Sequence, residues 1–208
     1  MTKTKPWILF SLALILGCPS ANDDDSSATD DDDAVADDDD STALGSLRTF
    51  TVESDGNMGG PSGADALCAA SADNPDTSAT WKAMLGGLSR VPCADADCDS
   101  GTAGQVDWVL QPSTTYTRPQ GGAFFTTDAN GVITTYPLDG AMLDNATNFW
   151  TGLDSDWTVY TDFHCNDWTT NGVQVRGRVG WSVGTDAAWI QGGDLACDSV
   201  LPVLCVEQ

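Results

Sequence analysis

The stretch GNMGGPSGADALCAASA, residues 56–72, decides the fold of this chain. It begins with a glycine-rich turn, Gly56 to Pro61, of the kind that reverses the direction of the chain. Ser62 is suited to cap a helix, because its hydroxyl can accept a backbone N–H, and Asp65 follows three residues later. Ala64 to Ala72 is rich in alanine, the best helix former. The stretch therefore predicts a turn followed by a first helix.

Outward from this turn, the chain predicts strands and one more helix. Upstream, β-branched and aromatic residues predict a first strand over Leu47–Glu53. Downstream, four apolar residues beginning at Trp81 follow the spacing i, i+3, i+4, i+7, which predicts a second short helix over Thr80–Leu88 with Trp81 in the core. The other predictions are a hairpin whose strands Phe124–Thr127 and Val132–Tyr136 flank Asp128–Gly131, a half-buried strand over Val173–Trp181, and a last strand over Leu201–Val206.

The charge of the chain excludes several classes of partner. Eight Lys and Arg residues stand against 31 Asp and Glu, a net charge of −23 at pH 7. Eleven of the acids are aspartates between Asp23 and Asp40, and the residues from Ser41 onward still carry a net charge near −14. A chain this acidic repels nucleic acid phosphates and is unsuited to docking on anionic lipid or polysaccharide through a basic patch. A single histidine, His164, excludes sites that need two or three histidine ligands.

The first 18 residues resemble a bacterial lipoprotein signal peptide. A positively charged start precedes an apolar run, Trp7–Leu16, which is too short to span a bilayer as a helix. The run leads to Gly17-Cys18, and a small residue before such a cysteine resembles the lipobox, in which the cysteine is lipidated. The competing hypothesis is an ordinary cleaved signal peptide with an unpaired Cys18. Pro19, in place of an aspartate, favours the outer membrane or cell surface of a bacterial envelope.

Residues 19–46 are predicted to be a disordered tether between the lipid anchor and a domain over residues 47–208. The tether consists mainly of Asp, Ser, Ala and Thr, so it cannot bury enough apolar area to fold, and its aspartate blocks repel one another. A second hypothesis is that these aspartates collect Ca²⁺, although isolated acidic runs lack a preformed site. The remaining residues, roughly 160, are enough for one core.

Six cysteines in the predicted domain indicate disulfides, because an even number in an exported domain is typical of a disulfide framework. Cys93 and Cys98 share one short loop and are predicted to pair with each other. Zinc is excluded at this pair, because the further ligands of a closed site are missing. Spacing leaves the partners of the other four open; they are Cys68, Cys165, Cys197 and Cys205.

Several motifs, in the same order, resemble the endostatin-type domain and its bacterial C-type-lectin-like relatives. The first motif is Gly56-Asn57-Met58, followed by Gly63-Ala64-Asp65 and Cys68. The later motifs are Phe149-Trp150-Thr151-Gly152, Cys165-Asn166-Asp167-Trp168 and Val203-Leu204-Cys205-Val206-Glu207. The resemblance covers about residues 47–208 and is weakest over about 93–145.

This resemblance implies an α+β fold of the C-type-lectin-like type, with two helices against a twisted, mostly antiparallel sheet. It also implies nested disulfides, Cys68 to Cys205 and Cys165 to Cys197. The functions of the family do not carry over, because the zinc-binding histidines and basic surface of animal endostatin domains are missing. The calcium–sugar site of lectins departs from its pattern at Gln111-Pro112-Ser113 and at Asn166-Asp167-Trp168.

Two groups of residues between 150 and 170 are candidates for ligand contact. Carboxylate oxygens on irregular loops suit Ca²⁺, the one cofactor that the sequence suggests, and the alternative is a solvated acidic surface. Trp157 and Tyr160 are predicted to be exposed aromatic contacts, whereas Trp150, Trp168 and Trp181 are predicted to be core. The acids of the predicted calcium site are Asp154, Asp156, Asp162 and Asp167.

The enzymatic alternatives are narrow. Gly180-Trp181-Ser182-Val183-Gly184 matches the G-x-S-x-G pattern of serine hydrolases, but His164 precedes Ser182, and the segment predicts a strand. His164 itself is predicted to be a loop histidine, because the disulfide expected at Cys165 leaves no thiolate nucleophile. The sequence therefore predicts a non-enzymatic, surface-anchored binding or adhesion lipoprotein with a glycan or protein ligand. The alternatives are an envelope structural protein without a small ligand, and a hydrolase at Ser182.

Overall fold

The computed structural model describes residues 45–208, so the predicted signal peptide, Cys18 and residues 19–44 of the predicted tether lie outside the described residues. Within this range one regular helix, α1, spans Pro61–Ala70, and shorter helical turns span Ala96–Cys98, Cys165–Trp168 and Ala187–Trp189. The strands are β1 (Thr49–Ser54), β2 (Trp81–Ala83), β3 (Thr115–Thr117), β4 (Ala123–Thr126), β5 (Asn148–Trp150), β6 (Arg176–Trp181), β7 (Gly193–Ala196) and β8 (Leu201–Glu207).

The last strand organises a six-stranded, mostly antiparallel sheet of order β1-β8-β5-β6-β7, in which β2 also pairs with β8. Both β1 and β2 run antiparallel to β8, and only β5 runs parallel to it. The predicted first and last strands are thereby confirmed. The two-stranded sheet of β3 and β4 is separate from this six-stranded sheet. The N–H of Leu47 donates to the carbonyl oxygen of Thr115 at 2.9 Å, and the N–H of Thr117 donates to the carbonyl oxygen of Leu47 at 2.8 Å. The architecture is α+β, with mostly strands, few helices and open sheets.

Sterics explain two glycines, one in the turn before α1 and one in the first turn of α1. A Cβ on Gly56 would lie 2.5 Å from the Sγ of Cys165, and a Cβ on Gly63 would lie 2.0 Å from the carbonyl oxygen of Met58. Real side chains do not approach other atoms this closely, so only hydrogen fits at these two positions. The glycine at the start of the Gly-Asn-Met motif therefore allows the chain to pass close to Cys165 between β1 and α1.

The predicted first helix is confirmed, but its start is different. The helix α1 begins at Pro61, with Gly60 at the N-cap (φ 83°), so Ser62 lies inside the helix and does not cap it. Proline suits the first helical position because its missing N–H would have had no partner there. Pro61 and Gly60 thus decide where α1 starts, and the hydroxyl of Ser62 does not.

The second helix predicted over Thr80–Leu88 is wrong. The first part of this segment is β2, which pairs with β8. Trp81 is buried as expected, and Met84 and Leu85 are buried too, but Leu88 is 70% exposed. A short segment can show helical spacing by chance, and here the backbone groups of β8 provide the hydrogen bonds that fix an extended chain.

The hairpin predicted around Asp128–Gly131 is right about its turn and wrong about its strands. The turn forms, and the Gly131 N–H donates to the Asp128 carbonyl oxygen at 3.1 Å. The strand before it is β4, but β4 pairs with β3, and the segment Val132–Tyr136 forms no strand. The true partner is only three residues long, too short to show an alternating pattern in the sequence.

Two buried clusters form the core. One contains Trp150 and Trp168, which are fully buried as predicted, together with four of the disulfide cysteines. The other contains Trp157 and Trp189 with the phenylalanines of β4 and β5. The prediction that Trp181 is core is wrong, since this residue is 41% exposed. Trp181 is the last residue of β6, and at this end of the strand the core no longer covers the side chain.

The structure confirms all three expected disulfides. Cys68–Cys205 joins α1 to β8, and Cys165–Cys197 lies beside the turn at Gly56. Cys93–Cys98 closes the short loop predicted from spacing. All six cysteines are buried, so the bonds are part of the core.

Arg90 is a fully buried charge that two aspartates neutralise. Its guanidinium donates to both carboxylate oxygens of Asp65 on α1 (2.8 and 2.7 Å), to Asp107 (2.5 and 3.0 Å) and to the carbonyl oxygen of Ala83 (2.8 Å). Asp65 also accepts the backbone N–H of Ala83 at 2.8 Å. Burial would lower the pKa of Arg90, but these hydrogen bonds hold it above its usual value. The cluster connects α1, β2 and the segment around Asp107.

The described residues belong to one compact unit. Within residues 45–208, none of the helices has the length and apolar character needed to cross a bilayer.

Candidate functional site

The backbone of Cys165–Trp168 forms a left-handed turn. The φ angles are 48° at Cys165, 54° at Asn166, 57° at Asp167 and 60° at Trp168. Each non-glycine residue in this conformation costs roughly 1–2 kcal/mol. Four in succession persist only where the surrounding contacts enforce them, and such strained backbone clusters at functional sites.

Three contacts enforce the left-handed turn. The disulfide to Cys197 holds its first residue. The indole of its last residue is fully buried, and its Nε1 donates to the carbonyl oxygen of Gly86 at 2.9 Å. Between them, the backbone N–H of Asp167 donates to the Nδ1 of His164 at 2.8 Å. The turn is therefore fixed by a covalent bond and by two buried side chains.

A surface pocket of about 380 Å³ lies beside the left-handed turn. This volume lies in the lower part of the range of roughly 300–1,000 Å³ that is typical of small-molecule sites. A larger pocket of about 470 Å³ beside β3 has no charged or aromatic side chain in its lining, so it offers less chemistry. The pocket beside the turn combines a carboxylate, an imidazole, an amide, a hydroxyl and methyl groups, from Asp162, His164, Asn166, Thr170 and Val175.

Tyr160 precedes this pocket in the chain and is held by Arg178 of β6. The guanidinium carbon of Arg178 lies 4.0 Å from the centre of the Tyr160 ring, a cation–π contact. The backbone N–H of Arg178 also donates to the carbonyl oxygen of Phe163 at 2.7 Å. The ring of Tyr160 is half-buried, so part of it remains at the surface, where the sequence predicts a ligand contact.

The prediction that Trp157 is exposed is wrong. Its side chain is fully buried, its Nε1 donates to the carbonyl oxygen of Ile133 at 2.8 Å, and its ring packs edge-on against Trp108. The acidic neighbours of Trp157 suggest a solvated loop. The loop instead folds back onto the segment of the short Cys93–Cys98 disulfide, where the N–H of Asp97 donates to the carbonyl oxygen of Asp156 at 2.7 Å.

The structure also corrects the calcium site predicted from four aspartates. Asp154 and Asp156 accept hydrogen bonds within their own loop, from the N–H of Ser155 at 2.8 Å and from the hydroxyl of Thr158 at 2.6 Å. Asp167 accepts the hydroxyl of Ser89 at 2.7 Å. Across residues 45–208, no three Asp, Glu, His or Cys side chains are grouped so that they could hold a metal ion. Only Asp162, the fourth aspartate, lines the pocket.

Ser182, the centre of the G-x-S-x-G match, is fully buried. Its hydroxyl donates to the carbonyl oxygen of Asn145 at 2.8 Å and accepts the N–H of Thr147 at 2.9 Å. Both bonds tie the end of β6 to the segment before β5. The serine therefore has a structural task, and a substrate could not reach its oxygen in this conformation.

His164 has a role that the sequence does not predict. The sequence indicates a loop histidine, but the residue is only 6% exposed, and its side chain caps the left-handed turn. The position of His164 directly before the Cys-x-x-Trp motif is the one sequence feature that points to this role. Both ends of that motif are buried in the structure. The need for a cap becomes visible only with the positive φ angles.

Comparison with known proteins assigns the family. Residues 51–185 match the family described as Protein of unknown function (DUF1554), and this range is well over half of the chain. The chain belongs to the DUF1554 family. The DUF1554 match includes the glycine-rich turn, α1, the left-handed turn and the pocket, and it ends before Cys197 and Cys205. Its description names neither endostatin-type nor C-type-lectin-like domains. No curated protein matches the sequence.

Proposed function

We propose that this protein is a lipid-anchored component of a bacterial cell envelope, and that its DUF1554 domain binds a ligand without catalysing a reaction. Cys18 carries the anchor, in the outer membrane or at the cell surface, and residues 19–46 hold the domain away from the bilayer. The three disulfides support an exported location, because such bonds persist mainly in oxidising compartments. The ligand is a glycan or a protein, and nucleic acid is excluded by charge.

The observation that carries this proposal is the pocket beside the left-handed turn. Binding sites need side chains that are held in place before the ligand arrives, because each group ordered on binding costs free energy. The turn is held by Cys197, Gly86 and His164, so the pocket walls at Asn166 and Thr170 are connected to a rigid backbone.

We also propose that the fold is C-type-lectin-like. The nested bonds Cys68–Cys205 and Cys165–Cys197 are those that the resemblance implies. The terminal Leu-Cys-x-Glu motif has a structural reason as well. Glu207 accepts hydrogen bonds from the side chain and backbone of Arg48 at 2.8 and 2.9 Å, which joins the two ends of the domain and holds the pKa of Glu207 below its usual value. A crystal structure compared with lectin-like domains would decide this point.

Replacing Cys18 by serine is expected to abolish lipidation and release the protein from the membrane fraction. The reason is that a serine hydroxyl cannot replace the thiolate that accepts the lipid. Labelling of cells with radioactive palmitate, followed by membrane fractionation, measures both effects. A Cys18→Ser protein that stays in the membrane fraction without label would show that the anchor is not at Cys18.

The lipidated full chain in detergent is expected to bind members of an array of glycans and purified cell-surface proteins. Asn166→Gly is expected to weaken that binding about tenfold, because it removes a side chain of the pocket wall. Glycine tolerates the positive φ of this position, so the fold is preserved. Asp139→Ala, at an exposed acid outside this pocket, is the control. If no array member binds, the envelope structural role replaces the proposed function.

A further inference from the structure

The charge of the domain favours cationic partners. The residues from Ser41 onward carry a net charge near −14. Every lysine and arginine among residues 45–208 lies within 4.0 Å of a carboxylate, so the bases of the domain are already paired with its own acids. The field of the remaining acids attracts cations and raises their concentration at the surface. A specific site needs, in addition, an acid that lies in a pocket together with further acceptors.

Asp162 is such an acid. Its carboxylate lines the pocket beside the left-handed turn and makes no hydrogen bond or ion pair within residues 45–208. No lysine or arginine lines this pocket. The ring of His164 adds no charge, because its Nδ1 accepts the N–H of Asp167 at 2.8 Å and therefore carries no proton. The pocket thus has one negative charge that nothing in its lining compensates.

Asn166 supplies a second acceptor, because the orientation of its side-chain amide is fixed. The hydroxyl of Thr169 donates its only hydrogen to the backbone carbonyl oxygen of Asn166 at 2.6 Å. The same hydroxyl lies 3.1 Å from the side-chain amide of Asn166, where it can only accept, so the atom that faces it is the donor Nδ2. The Oδ1 of Asn166 is then left to accept a hydrogen bond from a ligand.

The other side chains of the lining suit an aliphatic chain that ends in a charge. Val175 and Thr170 carry methyl groups, against which methylene groups can pack. Lysine and arginine combine an apolar stem with a charged head, and such heads form strong hydrogen bonds with carboxylates. A bare Ca²⁺ ion is served less well, because it takes about six to eight oxygens. No three Asp, Glu, His or Cys side chains of residues 45–208 are grouped to hold a metal ion.

Given the binding function proposed above, we infer that the pocket beside the left-handed turn holds a lysine or arginine side chain of a protein ligand. The carboxylate of Asp162 and the Oδ1 of Asn166 accept hydrogen bonds from the charged head, and Val175 packs against the stem. The volume of about 380 Å³ has room for one such side chain. The contact surface of the ligand is basic, which complements the acidic domain.

The test is ligand-observed NMR of short peptides with the lipidated full chain in micelles of an uncharged detergent. The salt concentration is about 0.15 M, at which a Debye length of about 8 Å screens diffuse attraction. The basic probes are acetyl-Gly-Lys-Gly-amide and acetyl-Gly-Arg-Gly-amide, and the lysine peptide acetylated at Nζ is the uncharged control. At least one basic peptide is expected to bind about tenfold more tightly than the acetylated peptide, with its terminal methylene signals broadened most. Cadaverine, a free diamine, shows whether the peptide backbone contributes.

Three substitutions separate the pocket from the net charge of the domain. Asp162→Asn is expected to weaken binding of the basic peptide about tenfold, because it removes the carboxylate at an exposed position. Asp139→Asn removes the same charge at an exposed acid outside this pocket and is expected to leave binding unchanged. Asn166→Asp adds a second carboxylate and is expected to tighten binding, and aspartate tolerates the positive φ of this position as asparagine does. Unchanged melting temperatures show that the variants fold.

Equal weakening by Asp162→Asn and Asp139→Asn overturns the inference, because net charge alone would then hold the peptide. So does binding that is the same before and after acetylation of the lysine, or the absence of binding by both basic peptides. If array ligands still bind in any of these cases, and Asn166→Gly still weakens that binding, the proposed function stands and only the ligand class is wrong.

Discussion

The free energy of unfolding is expected to fall by about 5 kcal/mol when Cys68 and Cys205 are both replaced by alanine. Their bond closes a loop with a sequence separation of 137 residues, from α1 to β8. In the chain-entropy model, releasing a loop of that length gives the unfolded chain about 5 kcal/mol of additional conformational freedom at 25 °C. Both cysteines are fully buried, so the small voids left by alanine add to the loss. Urea unfolding under non-reducing conditions, followed by tryptophan fluorescence, measures the change.

The matched control is the double alanine variant of Cys93 and Cys98. This bond closes a loop with a separation of only 5 residues, for which the same model gives about 2 kcal/mol. These cysteines are buried as well, so the comparison isolates loop length. Equal losses in the two double variants would contradict the prediction and show that packing around the sulfur atoms decides the effect.

Asp65→Ala is expected to cost about 3–5 kcal/mol, because it leaves the fully buried guanidinium of Arg90 with one carboxylate instead of two. The substitution also removes the acceptor of the Ala83 N–H, a buried donor that then has no partner. Thermal and urea unfolding measure the loss. Asp139→Ala, at an exposed aspartate, is expected to change stability by less than about 0.5 kcal/mol. A loss at Asp65 as small as that of the control would show that water replaces the carboxylate.

The cluster of Arg90, Asp65 and Asp107 also predicts how the stability of the fold changes in acid. Burial alone would raise the pKa of Asp107, but hydrogen bonds from Lys82 and Arg90 hold it below its usual value. A carboxyl whose pKa is lower in the folded protein stabilises the fold at neutral pH. That stabilisation is lost as the pH falls through the folded pKa of Asp107. The difference between wild type and Asp65→Ala should therefore be measured at neutral pH.

Covalent and local features of this domain follow from the sequence alone. The even set of cysteines and the resemblance together imply the pairs that form, since the buried turn at Gly56 and the end of β8 carry recognisable motifs. The first strand, α1 and the last strand are predictable for a similar reason. Each has a pattern within ten or so consecutive residues, and the burial of Trp150 and Trp168 follows from their motifs.

Burial of single aromatic residues could not be predicted in the same way. Trp157 is surrounded by aspartates in the sequence, yet it inserts into the core beside Trp108 while its neighbours stay at the surface. Trp181 follows the alternating pattern of β6 but lies where the strand leaves the core. Burial depends on which distant segments of the chain cover a residue, and the identities of its sequence neighbours do not specify those segments.

The sequence by itself determined the charge, the disulfide framework and the first and last strands, because these properties are sums or local patterns. Only the tertiary structure decided that Trp81–Ala83 is a strand, that no three of the four aspartates are grouped as metal ligands, and that His164 caps a left-handed turn beside a pocket. The strand depends on hydrogen bonds between β2 and β8, and the left-handed turn on the bond from Trp168 to Gly86, and in both cases the partners are far apart in the chain. Those partners are chosen when the whole core packs, so no local stretch of the chain can specify them.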